Sequence, residues 1–93
     1  MGTFHHDKSE LHGITVVVET VDGEVYVGRC DDIDDSRITL HDVDSHQDGE
    51  NGRSTSEYLE RAARFGVWKK YDRLAIPRER ATAVRRLADL ADG

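Results

Sequence analysis

A chain of 93 residues, 37% hydrophobic and 6% aromatic, allows one small domain with a modest core of its own. Its formal net charge of −6 excludes the overall basic footprint of a nucleic-acid-binding domain, though not a local arginine cluster. The single cysteine excludes an intrachain disulfide, and no apolar run approaches the ~20 residues of a spanning helix. The expected setting is therefore the cytoplasm, with no membrane partner.

Residues 1–12 read as a polar N-terminal tail, with a helical turn around Lys8–His12 and no apolar signal core. Ile14 to Thr20 is a β-branched run and the first strand. Val21-Asp22-Gly23 is the turn, since Asp-Gly is a strong hairpin signal. Residues 24–33 are the second strand. By two-residue alternation Tyr26, Gly28 and Cys30 share one face, and Val25, Val27 and Arg29 the other. A glycine inside a strand marks a bend or a close backbone approach, which a small sheet needs in order to curl. The alternation slips before Ile33, which predicts a bulge near Asp31-Asp32.

Asp34-Asp35-Ser36 is a second turn, built from residues that cap their own backbone. Arg37 to Val43 is the third strand. Ile38, Leu40 and Asp42 are expected on one side, and Thr39, His41 and Val43 on the other. Residues 44–66 read as an insertion, opening on a polar loop. Ser54-Thr55-Ser56-Glu57 has capping-box spacing, and Tyr58, Leu59, Ala62 and Ala63 recur at helical intervals. A helix over 55–65 is expected, stopped by Gly66 and too short to persist unless it docks. Val67 to Ile76 is the fourth strand and ends at the only proline, Pro77. Residues 81–90 fit a helix through Ala81, Val84, Leu87, Ala88 and Leu90. Residues 82–86 equally fit a short closing strand, and both readings stay open.

At this point residues 11–43 resemble an Sm-like (LSm) domain. Leu11, Ile14, Val16 and Val18 match the apolar positions of its first strand. Gly23, Tyr26, Gly28, Cys30, Ile33 and Asp34 match the spacing of its first motif, and Ile38 and Leu40 follow as the third strand's apolar pair. Leu74-Ala75-Ile76 and Ala83-Val84 resemble the second motif more loosely. The resemblance implies a mainly β protein: a small, strongly bent, five-stranded antiparallel barrel, Sm-like or SH3-like. It also implies rings of six or seven subunits, in which the fourth strand of one pairs with the fifth of the next.

The same resemblance implies single-stranded RNA as a partner, bound by the turn after strand two and the turn before strand five. This chain departs from the family there. The aspartate is present as Asp34, but Arg37 stands where the family has an asparagine, in a turn one residue shorter. Ile76-Pro77-Arg78 replaces the family's arginine–glycine pair. Asp34, Arg37 and Arg78 are the candidate RNA-contacting residues. The further basic residues Lys69, Lys70, Arg73, Arg80, Arg85 and Arg86 read either as phosphate contacts or as a solvated face balanced by nearby carboxylates.

The remaining chemistry-bearing residues read as structural. His41, Asp42, Asp44 and His46 are metal-ligand types, but neighbours on a strand point to opposite faces, so no metal site is expected. Cys30 sits mid-strand facing inward with no histidine partner, which makes it a buried small residue rather than a nucleophile. No catalytic arrangement is present, so neither enzyme activity nor a cofactor is expected. Two readings of function stay open. In one, the chain is a homo-oligomeric Sm-like module that contacts single-stranded RNA. In the other, it is a protein-interaction barrel that has lost the RNA pocket. The second would use residues 44–66 and their neighbour, with Tyr58, Leu59, Ala62, Phe65 and Trp68 meeting a partner or a neighbouring subunit.

Overall fold

A computed structural model describes residues 13–91; the N-terminal tail, with the turn expected at Lys8–His12 and with Leu11, lies outside the described residues. Five strands form one antiparallel sheet in the order β4-β3-β2-β1-β5. They are β1 (Thr15–Thr20), β2 (Val25–Ile33), β3 (Arg37–His46), β4 (Tyr71–Pro77) and β5 (Ala81–Arg86). Helix α1 (Thr55–Phe65) lies in the connection between β3 and β4, and a short helix α2 (Leu87–Ala91) follows β5. The sheet is bent rather than sealed, and β4 and β5 are its two edges.

The hairpin forms where expected. Gly23 takes φ 88 in the turn, a conformation that glycine reaches without steric cost. The Thr20 hydroxyl donates to the Glu24 carbonyl at 2.7 Å and closes the strand ends. Beyond it β2 and β3 pair from Val25↔His46 to Ile33↔Ile38, with two irregularities. Two residues of β3, Asp42 and Val43, oppose Gly28 alone. Asp31 is unopposed between Cys30↔Leu40 and Asp32↔Thr39, which is the bulge the slipped alternation predicts.

The bulge at Asp42 corrects the face assignment of β3. Asp42 takes φ 55, and the extra residue turns Val43 inward beside Ile38 and Leu40. Strand β3 is also three residues longer than expected. Asp44, Ser45 and His46 pair with Val27, Tyr26 and Val25, so the insertion begins after His46. Their polar character read as loop, but ladder pairing and the polar contacts described below overrode propensity. Strand β4 starts at Tyr71 rather than Val67. Both readings of the C-terminal segment are realised in succession, as strand β5 and then helix α2.

Two cores result. Val16, Val18, Tyr26, Cys30, Ile38, Leu40, Val43 and Ile76 fill the inside of the bend. Val17, Val25 and Val27, on the other face, are covered by Leu59 and Ala62 of α1 and Leu87 of α2. The alternation of β2 is thus observed as read. Ser54 caps α1 by accepting from Glu57 N at 3.1 Å. Gly66 ends it at φ 80, its N–H bonded to Ala62 O at 2.8 Å. The helix persists because its apolar face docks, as its length requires.

Candidate nucleic-acid interface

The turn between β2 and β3 is organised by one carboxylate. Asp34 Oδ1 accepts from Ser36 N at 2.8 Å and from Arg37 N at 2.9 Å. Asp34 N in turn donates to Arg37 O at 3.0 Å. Asp34 therefore shapes the turn and fixes the backbone from which Arg37 projects.

The turn between β4 and β5 is laced to the first. Arg37 pairs with Pro77 at the end of the β3–β4 ladder. Arg78 N donates to Ser36 O at 2.9 Å, and Arg78 Nη1 lies 3.3 Å from Asp34 O. The three candidate residues, 44 positions apart in sequence at the extremes, thus share one corner of the sheet. Ser36 belongs to this corner too. The signal for it was the Asp-Asp-Ser turn, although only the structure shows its carbonyl receiving Arg78 N. Arg37 is exposed and makes no side-chain ion pair with a described residue.

The other basic residues differ from Arg37. Arg80 pairs with Asp22, Arg85 with Glu19, and Arg86 with Asp89. Arg73 lies 3.7 Å from Asp31, and Lys69 lies 2.7 Å from Asp72 and 3.6 Å from Asp42. Asp72 holds the Lys69 ammonium above its ordinary pKa, and Lys69 holds the Asp72 carboxyl below its own. This is the balanced, solvated face, with its positive charge largely answered by carboxylates.

The five residues considered for partner contact separate. Leu59 and Ala62 are buried against β1 and β2 of their own chain, so they belong to the fold. The amphipathic spacing that suggested an outward docking face is the inward stripe of the helix. Tyr58 is half-buried, while Phe65 and Trp68 are 76% and 92% exposed.

Tyr58 sits in a polar clamp that ties α1 to the end of β3. Its hydroxyl donates to Asp44 Oδ2 at 2.7 Å, and its ring stacks on buried His46 at a centroid distance of 4.4 Å. Burial first, then the bond to Asp44, pushes the Tyr58 phenol far above its ordinary value. Lys70 Nζ donates to Ser45 O at 3.0 Å and reaches Glu50 Oε2 at 3.5 Å. Glu50 Oε1 accepts from Gln47 N at 2.9 Å. That bond, followed by the Lys70 charge, draws the Glu50 carboxyl below its ordinary range. The residues that looked like metal ligands are therefore engaged in the fold. His46 stacks on Tyr58 and meets Arg53 O at 3.1 Å. His41 Nε2 lies 3.3 Å from Asp31 Oδ2. Burial, then Asp32 and Asp31, raises the Cys30 thiol.

No protein-family model matches the sequence, and no curated relative matches it. Solved structures do match. The Sm protein of Pyrococcus abyssii, in complex with a uridine heptamer, aligns with a TM-score of 0.60 at 22% identity, over 84% of this chain and 89% of that one. The fold is Sm-like. A novel Sm-like archaeal protein from Pyrobaculum aerophilum aligns with a TM-score of 0.58 at 18% identity over 87% of this chain. This chain spans about half (48%) of that protein's length. A chain of the NatC complex bound to CoA also aligns, with a TM-score of 0.57 at 17% identity, over 89% of this chain and 92% of that one.

Proposed function

We propose that this chain is a non-enzymatic Sm-like binding module that assembles head-to-tail into a homo-oligomer and offers its Asp34–Arg37–Arg78 corner to single-stranded RNA. The observation that carries this reading is the lacing of the β2–β3 turn to the β4–β5 turn, which aims exposed Arg37 from a backbone held by Asp34. The Sm protein of Pyrococcus abyssii, which has this fold, is complexed with a uridine heptamer, and that supports RNA as the ligand class.

In this reading Asp34 is a positioning residue, because its carboxylate is engaged by backbone donors. Arg37 supplies a planar cation able to stack on a base or meet a phosphate. Arg78 supplies a second positive group beside it. Repetition around an assembly multiplies one weak corner into a multivalent surface. Assembly itself follows from edges. Among the described residues, strands β4 and β5 each have one side with no strand partner, and a head-to-tail contact that closes satisfies both. The setting proposed is the cytoplasm. The test is solution mass together with titration of a uridine heptamer at low salt. An assembly that binds it, with Arg37→Ala weakened, is the expected result.

A second reading rests on a specific observation. Most basic side chains are matched by carboxylates, and a chain of the NatC complex aligns with this one. In that reading the chain is a subunit of a protein complex whose RNA corner is vestigial. Binding of a protein partner by an assembly indifferent to RNA would favour it.

A further inference from the structure

The turn that follows β3, residues 47–53, holds three left-handed residues: Gly49 at φ 89, Asn51 at φ 58 and Gly52 at φ 76. Few side chains tolerate two such positions in succession. Asparagine followed by glycine is a pair that does so at little cost. Asn51 is the chain's sole asparagine, and both it and Gly52 are exposed. The backbone of this turn thus calls for a pair that is also chemically labile. Asparagine is a thermolabile residue, because its side-chain amide carbon is open to attack by the next main-chain nitrogen. Glycine, with no Cβ, hinders that nitrogen least. A Cβ added at Gly52 would meet nothing within 4 Å, so no packed neighbour shields the pair.

The same turn is joined to the polar clamp. Gly49 N donates to Arg53 O at 2.8 Å, and His46 Nε2 meets that oxygen at 3.1 Å. Glu50, beside Asn51, accepts from Gln47 N and reaches Lys70. Asp48 Oδ1 accepts from Thr55 N at 2.9 Å, at the start of α1. The length of main chain between Gly49 and Arg53 therefore helps to set where β3, α1 and Lys70 meet.

As folded, the turn holds the pair out of reaction. With ψ 25 at Asn51, Gly52 N nearly eclipses the main-chain nitrogen of Asn51 and is rotated away from Cβ. Gly52 N also donates to Gly49 O at 3.0 Å. Attack requires both to be undone. An exposed turn held by a few backbone bonds does this by local opening, without unfolding the core.

We propose that Asn51 is a self-modification site gated by opening of this turn, and that its isoaspartyl product releases the clamp. Gly52 N loses its proton to solvent as it bonds to Asn51 Cγ. The Cγ–Nδ2 bond breaks, and that nitrogen takes up a proton and leaves as ammonia. Water, the only co-reactant, then opens the succinimide ring. Addition at Cγ gives aspartate on an unchanged backbone. Addition at the main-chain carbonyl carbon gives isoaspartate, whose main chain runs through Cβ and gains one methylene. That methylene shifts Arg53 O away from Gly49 N and His46. Either product adds a negative charge beside Glu50. This chemistry depends neither on RNA nor on assembly.

The test is incubation of the full chain at mildly alkaline pH, folded and in guanidinium chloride, followed by intact mass and sequencing of the tryptic peptide 38–53. An acid replacing an amide raises the mass, whereas isomerisation at Asp22-Gly23 or Asp48-Gly49 does not, and fragment ions separate Asn51 from Gln47. Conversion is expected at Asn51 in both states, at least about tenfold slower in the folded chain. Gly49→Ala strains a left-handed position and should bring the folded rate toward the unfolded one. Asn51→Gly should gain no mass. The isoaspartyl form, separated by chromatography, should unfold at lower denaturant than Asn51→Asp, which carries the same charge on a normal backbone. A folded chain that never converts, or a gain that maps to Gln47, would overturn the site. Equal rates in the two states, or Gly49→Ala at the parent rate, would overturn the gating. An isoaspartyl form as stable as Asn51→Asp would overturn the release of the clamp.

Discussion

Asp42 sits in the left-handed region, at φ 55, across from Gly28, so β3 bulges over β2 where β2 has no side chain. A Cβ on Gly28 would lie 3.0 Å from His41 O, 3.1 Å from Val43 Cγ2 and 3.3 Å from Leu40 Cβ. The sheet bends there because the two backbones approach more closely than side chains allow. The bulge also delivers Val43 to the inner core. The exposed Asp42 carboxylate meets Arg29 at 2.9 Å, and aspartate is among the few non-glycine residues that tolerate this backbone region.

Gly28→Ala should therefore destabilise the fold by about 1–3 kcal/mol, since backbone and a packed core must move to admit one methyl. Chemical denaturation measures it. A change within a few tenths of a kcal/mol would show that β3 is not held against β2 at this point.

Helix α1 should prove to be part of the fold rather than a detachable insertion. Leu59→Ala is expected to cost about 2–4 kcal/mol, because Leu59 covers Val17, Val25 and Val27 on the outer face. Removal of residues 47–66 should expose that face and give an aggregating or unfolded chain. A shortened chain with native stability would contradict the second core.

Much of this was legible in the sequence, and the misses share a cause. The hairpin turn, the bend at Gly28, the slip near Asp31 and the limits of α1 are local, and local residues report them. The side on which α1 lies is a tertiary fact: the same Tyr58-Leu59-Ala62 spacing serves an inward or an outward face. The last three residues of β3 were hidden because Asp44, Ser45 and His46 are stabilised by distant partners, Tyr58 and Lys70. At the candidate site, Asp34, Arg37 and Arg78 were identifiable one at a time. That Arg78 reaches the Asp34 turn depends on a ladder between strands far apart in sequence.

The clamp at the end of β3 gives the fold an acid limit. The folded Glu50 carboxyl is held below its ordinary value of 4.5 by the Gln47 N–H and by Lys70. Its contribution is full above the ordinary value and is lost as pH falls through the lowered one. Stability should fall in that window, and Glu50→Gln should flatten the fall. An identical acid limb in both proteins would remove Glu50 from the clamp.

Cys30 should be inert while the protein is folded. The thiol is buried among inner-core residues and its pKa is raised, first by burial and then by Asp32 and Asp31. At neutral pH a thiol-specific reagent should label it only in denaturant, at a rate set by unfolding. Rapid labelling of the native protein would place Cys30 outside the core.

The most direct test of the central claim is fluorescence anisotropy of a labelled uridine heptamer titrated with the full chain over a range of salt concentrations. Binding is expected at low salt and should weaken as salt rises. Arg37→Ala should reduce the salt slope by about 0.7 if Arg37 meets one phosphate of a single strand, and Arg78→Ala should weaken binding in the same direction. Arg86→Ala, whose guanidinium is engaged with Asp89, should bind like the parent. A folded, assembled protein with no low-salt affinity for the heptamer, or with affinity indifferent to Arg37 and Arg78, would contradict the claim.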